Sequence, residues 1–63
     1  MGDFSYSIKT DKSRDYFTVV AWGTLKRMNE FAEVFDKNPE TVESRIVRER
    51  DGKVIRHYER RSF

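Results

Sequence analysis

The segment between Gly23 and Pro39 constrains the fold most, because it is the one stretch with helical periodicity. Gly23 ends a strand-like run, and Thr24 can cap a helix through its hydroxyl group. Asn38 precedes proline and therefore avoids the α conformation, which predicts a helix over roughly 25–37. Its apolar residues recur on one side: Leu25, Met28, Phe31, Ala32 and Phe35. Such a helix is marginal alone and must pack on something else.

The residues before the helix predict a β-hairpin. Residues 3–10 alternate apolar with polar side chains, and residues 16–22 are rich in aromatic and β-branched types. Pairing Thr10 with Asp15 leaves a four-residue loop, which is a common connection. This register places six apolar residues on one face: Phe4, Tyr6, Ile8, Phe17, Val19 and Ala21. The opposite face then receives Tyr16, Thr18, Val20 and Trp22.

The residues after the helix predict a second hairpin, with strands over 41–50 and 53–61 around the turn signal Asp51-Gly52. Two registers stay open. A two-residue turn puts Ile46 and Ile55 on one face and leaves three residues on the other: Val47, Val54 and Tyr58. A three-residue turn with a bulge at Gly52 instead pairs Val47 with Ile55 and Glu49 with Lys53.

The predicted order is therefore β-β-α-β-β, an α+β fold in which one helix packs on one face of a four-stranded antiparallel sheet. A chain of 63 residues is expected to form a single domain over 1–63. The sequence has no cysteine and one histidine, so neither a disulfide nor a zinc site is expected. Because small domains often add a partner subunit instead, we expect a homodimer, face to face through Trp22 and Tyr16.

The sheet face without a helix must meet water or a partner. Tyr, Trp and Arg are enriched at binding hot spots, and exposed apolar surface usually marks an interaction site. We therefore predict partner binding by the residues of these types expected on that face: Tyr16, Trp22, Tyr58, Arg56 and Arg60. The alternative is that Trp22 curls around the end of the sheet and belongs to the core.

The basic residues are concentrated after the helix. Residues 43–63 carry seven Lys/Arg and four Asp/Glu. An arginine-rich hairpin with Tyr58 and His57 could hold nucleic acid through phosphate contacts and stacking. That alternative function would use Arg45, Arg48, Arg50, Lys53, Arg56, Arg60 and Arg61. Equally, the acidic residues of the hairpin could pair across the strands with these cations: Glu43, Glu49, Asp51 and Glu59.

Catalysis is not expected. His57 is the residue that titrates near neutral pH, and its place on a strand is typical of a half-exposed packing residue. The glycines form no phosphate-binding loop, and we expect no cofactor. The longest apolar stretch, residues 17–22, is too short to span a bilayer, which predicts a cytoplasmic protein without membrane contact.

A strand pair is followed by a short helix that opens at Thr24-Leu25 and carries Ala32, and then by a strand that runs into arginine-rich sequence. This order resembles that of small phage-encoded proteins that bind and inhibit host enzymes, including inhibitors of host RNA polymerase. The chain departs from that pattern by its fourth strand and its longer basic end. The resemblance implies protein binding, as an inhibitor or an adaptor, and assigns no role to any residue.

Overall fold

The computed structural model describes residues 2–12 and 15–60. Its elements are β1 (Phe4–Thr10), β2 (Thr18–Gly23), α1 (Leu25–Phe35), β3 (Thr41–Arg48) and β4 (Lys53–Glu59). The strands form one antiparallel sheet in the order β2-β1-β3-β4, so β2 and β4 are its edges. The predicted α+β class and element order are confirmed.

The core lies between α1 and the middle of the sheet. Four hydrophobic residues of the described chain are buried completely or nearly so: Tyr6, Met28, Ala32 and Ile46. Partly buried apolar residues pack around them: Phe4, Ile8, Ala21, Phe31, Phe35 and Ile55. The rings of Tyr6 and Phe35 stack with their centroids 5.9 Å apart, which joins β1 to the end of α1.

Both ends of α1 have capping interactions. The Thr24 hydroxyl accepts a hydrogen bond from the Arg27 amide at 3.2 Å, as the sequence predicts. At the other end the Asp36 amide donates to the Ala32 carbonyl at 2.8 Å. The helix ends at Phe35, earlier than predicted, because the chain then turns and the Asn38 amide bonds the Phe35 carbonyl at 3.0 Å.

The predicted register of the first hairpin is wrong. Tyr6 pairs with Ala21 and Ser7 with Val19, so Val20 is the extra residue of a β-bulge. Because a bulge shifts the alternation by one residue, Val19 lies on the face opposite the helix. The pair predicted between Thr10 and Asp15 is absent, since the pairing of β1 with β2 ends at Ile8 and Thr18.

The second hairpin follows neither predicted register throughout. Arg48 pairs with Lys53 beside the turn, and the Gly52 amide donates to the Arg48 carbonyl at 2.7 Å. Val47 pairs with Val54, but Ile46 pairs with Arg56, which leaves Ile55 as the extra residue of a second bulge. Beyond that bulge the pairing has the offset of the three-residue alternative.

Candidate partner-binding face

The sheet face opposite α1, here called the open face, presents its side chains in rows across the strands. Directly opposed residues in an antiparallel pair lie on the same face. Ser5 pairs with Trp22 on β2 and with Val47 on β3, and Val47 pairs with Val54 on β4. These four residues form the apolar row. Trp22 is 59% exposed and Val54 43% exposed, while Ser5 between them is buried at 3%. Larger neighbouring side chains therefore cover Ser5, whose hydroxyl donates to the Glu49 carboxylate at 3.2 Å.

The next row along the strands is mixed in character. Ser7 pairs with Val19 on β2 and with Arg45 on β3, and Arg45 pairs with His57 on β4. These residues form the middle row. Ser7 is buried at 3%, whereas Val19 is 41% exposed. Both open-face serines of β1 are thus buried among larger neighbouring side chains.

The third row is charged. Lys9 pairs with Glu43, which pairs with Glu59, and these residues form the charged row. The Glu43 carboxylate contacts two bases, with Oε1 3.6 Å from Lys9 Nζ and Oε2 2.5 Å from His57 Nε2. Its hydrogen bond with His57, assisted by the charge of Lys9, lowers the pKa of Glu43 below its ordinary value.

Phe17 lies at the corner of the open face next to two cations. Lys9 Nζ is 4.7 Å and the Arg45 guanidinium carbon 4.1 Å from the centre of its ring. Such contacts are cation–π interactions and hold the basic groups on the ring. The phenyl ring is therefore engaged within the chain, unlike the exposed Trp22 indole.

The structure brings together only part of the predicted partner-binding set. Trp22 lies on the open face and is exposed, so the alternative that it belongs to the core is wrong. Tyr16 precedes β2 and is 61% exposed. The aromatic residue that contacts the cations of the open face is its neighbour Phe17. Sequence reasoning missed Phe17 and Val19 because no local signal revealed the bulge that turns the strand.

The other three predicted residues do not lie on the open face. Tyr58 pairs with Ser44 on the side of the sheet that α1 covers. On that side Arg56 Nη1 donates to Asn29 Oδ1 at 2.9 Å. Arg60 donates from its guanidinium group to the carbonyl oxygen of Pro39. The bulge at Ile55 is the reason, because it reverses the side on which Tyr58 and Arg56 emerge.

The basic hairpin does not form one cationic surface. Arg45 lies on the open face, whereas Arg56 lies on the helix side. Arg48 makes a two-point ion pair with Asp51 inside the turn, at 2.7 and 3.1 Å, and this contact lowers the pKa of Asp51. Of the acidic residues that could pair with the cations of the hairpin, Asp51 pairs with Arg48 within the turn, whereas Glu43 pairs with Lys9 and His57 instead of an arginine. Arg61 lies outside the described residues.

Comparisons with protein-family models, curated proteins and solved structures find no match for this chain. Within residues 2–12 and 15–60, no helix has the length and apolar character needed to cross a membrane. The same residues contain no group of three or more His, Asp and Glu side chains placed to hold a metal ion.

Proposed function

We propose that this chain is a non-enzymatic protein-binding module that acts through its open face, as an inhibitor or an adaptor does. One observation carries the proposal: Trp22 is 59% exposed on the open face. An indole in water exposes a large apolar area, and tryptophan is the residue type most enriched at binding hot spots. Next to it the Ser5 hydroxyl donates to the Glu49 carboxylate at 3.2 Å, so the indole borders a charged group as well as the apolar row.

The remaining residues of the open face support binding of a protein surface. Val47 and Val54 extend the apolar row across the sheet, and the cluster of Lys9, Glu43 and His57 borders it with charge. An apolar centre with a polar rim is the usual anatomy of a protein interface. The partner suited to it presents apolar side chains to the row and opposite charges to the rim.

Nucleic-acid binding by the hairpin remains the second candidate, favoured by its excess of cations. The contacts support it less well, because the arginines emerge on two faces and several already bond acceptors in the chain. Stacking of bases beside the arginines would also require a free ring in the hairpin, and Tyr58 lies on the side of the sheet that α1 covers. Nucleic-acid binding predicts affinity that falls steeply with salt concentration.

Affinity capture with matched variants tests the proposal. The immobilised chain, its Trp22→Ala variant and a Val34→Ala control are incubated with lysate of the organism that encodes the chain, with and without nuclease. Val34 is 66% exposed on α1, away from the open face, and therefore controls for loss of an exposed apolar group. We expect the wild type and Val34→Ala to retain the same protein, with or without nuclease, and Trp22→Ala to lose it.

Circular dichroism checks that each variant is folded before capture. Retention of the same protein by folded Trp22→Ala would contradict binding through the open face. Loss of the captured protein after nuclease treatment would favour the nucleic-acid alternative.

A further inference from the structure

We infer that the open face binds a second copy of this chain, with a two-fold axis that runs parallel to the strands between β1 and β3. The inference rests on the proposed function, since it treats the open face as a protein-binding surface and names its partner. It follows from which residues the two-fold rotation places opposite each other when each row meets the same row of the second copy.

The apolar row is complementary to itself under this rotation. The axis exchanges β2 with β4 and β1 with β3 but keeps each row at its own height along the strands. Trp22 therefore lies opposite Val54 of the second copy, and Ser5 lies opposite Val47. Apolar groups meet apolar groups at both ends of the row, which suits close packing of two sheets about 10 Å apart.

The charged row is complementary as well. The same rotation places Lys9 of each molecule opposite Glu43 of the other, so two cation–anion contacts form symmetrically at the rim. In the monomer these residues already pair at 3.6 Å, and dimerisation adds a contact from the other molecule to each. Charge complementarity of this kind selects orientation more than it adds affinity.

A two-fold axis perpendicular to the strands fits the open face poorly. It would place Arg45 opposite Arg45 of the second copy and would set the apolar row against the charged row. Like charges placed directly opposite each other are destabilising, and apolar side chains gain nothing against solvated charges. The composition of the rows therefore favours the axis parallel to the strands over the axis perpendicular to them.

The other exposed surfaces match a second copy less well. The β4 edge carries Lys53, Arg56 and Glu59, and charges on an edge strand oppose strand pairing. The β2 edge has no charge, but the bulge at Val20 interrupts its ladder. A groove of about 330 Å³ beside Phe31 lies on α1, away from the three rows of the open face.

Sedimentation equilibrium and NMR spectra over a dilution series, from roughly 1 mM to 10 μM, test the inference. An interface this small, near the lower limit of ~1,000 Å² for stable association, forms a weak dimer. We expect a dimer at the high end, with dilution shifts at Trp22 and Val54 and none at Val34. Trp22→Ala and the milder Val54→Ala should each raise the dissociation constant at least tenfold, and Val34→Ala should leave it unchanged.

The orientation is tested by charge exchange, with thermal melts confirming that each variant is folded. Lys9→Glu should weaken the dimer at least tenfold, and the double variant Lys9→Glu/Glu43→Lys should restore it. A monomer at 1 mM, or dilution shifts confined to Val20 or to Val34, would overturn the inference. Failure of the double variant to restore the dimer would overturn the parallel axis. If the chain is a monomer but its Trp22→Ala variant does not retain the protein that the wild type captures, the dimer is wrong and the proposed function still holds.

Discussion

The Asp36 carboxylate joins the end of the helix to the sheet through two hydrogen bonds. We expect the Asp36→Ala variant to lose most of the stability of the fold. Oδ1 of Asp36 accepts a hydrogen bond from the Tyr6 hydroxyl at 2.8 Å and another from Ser44 Oγ at 2.7 Å. One carboxylate at the end of α1 thereby joins β1 and β3. Burial and the adjacent carboxylate raise the pKa of Tyr6, so the phenol stays protonated and donates.

The loss of stability expected for Asp36→Ala follows from these two hydrogen bonds. A hydrogen bond to a charged group contributes about 1.5–3 kcal/mol, so the pair contributes roughly 3–6 kcal/mol. A core of this size supplies only ~3–5 kcal/mol of net stability. Asp36→Ala also leaves the buried hydroxyls of Tyr6 and Ser44 without their acceptor. We therefore expect Asp36→Ala to abolish cooperative unfolding at 25 °C.

Urea denaturation followed by far-ultraviolet circular dichroism and Trp22 fluorescence measures the effect. Tyr6→Phe and Ser44→Ala each remove one donor and should each cost about 1.5–3 kcal/mol while leaving a measurable transition. Glu33→Ala, on the exposed side of α1, is the matched control and should stay within about 0.5 kcal/mol of the wild type. A transition for Asp36→Ala within about 1 kcal/mol of the wild type would refute the reasoning.

Two further predictions concern the sheet. The folded pKa of Glu43 is lowered, so its contribution to stability is present above the ordinary glutamate range and is lost as the pH falls through the lowered pKa. Thermal melts between about pH 3 and 7 should therefore show a weaker acid dependence for Glu43→Gln, and an unchanged dependence would contradict the role of His57. Gly52 has φ +71° with open space around it, so Gly52→Ala should cost about 1–2 kcal/mol, whereas Gly52→Asn should cost less. Equal melting temperatures for the two variants would count against backbone strain as the cause.

Element order was predictable because its signals are local. The cap at Thr24, the alternation in β1 and the Asp51-Gly52 turn each depend on a few neighbouring residues, and all three appear in the structure. The bulges were not predictable, because they depend on how residues distant in sequence pack across the sheet. Helix α1 approaches β2 closely enough that a Cβ on Gly23 would lie 3.3 Å from Met28 Cε.

The bulge at Val20 decides which apolar groups of β2 the open face displays. Ala21 and Gly23 lie on the helix side with or without it, while Val19 turns to the open face because of it. The uninterrupted register would have placed Val19 beneath the helix instead. This consequence of a single-residue insertion is not visible in a local pattern.

The exposed groups of the open face come from the strands beside β1. Ser5 and Ser7 on the central strand β1 are buried at 3% although no described element covers that face. Side chains of neighbouring residues cover them, and the Glu49 carboxylate accepts a hydrogen bond from the Ser5 hydroxyl at 3.2 Å. The surface offered to a partner is therefore built by the longer side chains of the flanking strands, with the exposed Trp22 indole on the edge strand β2.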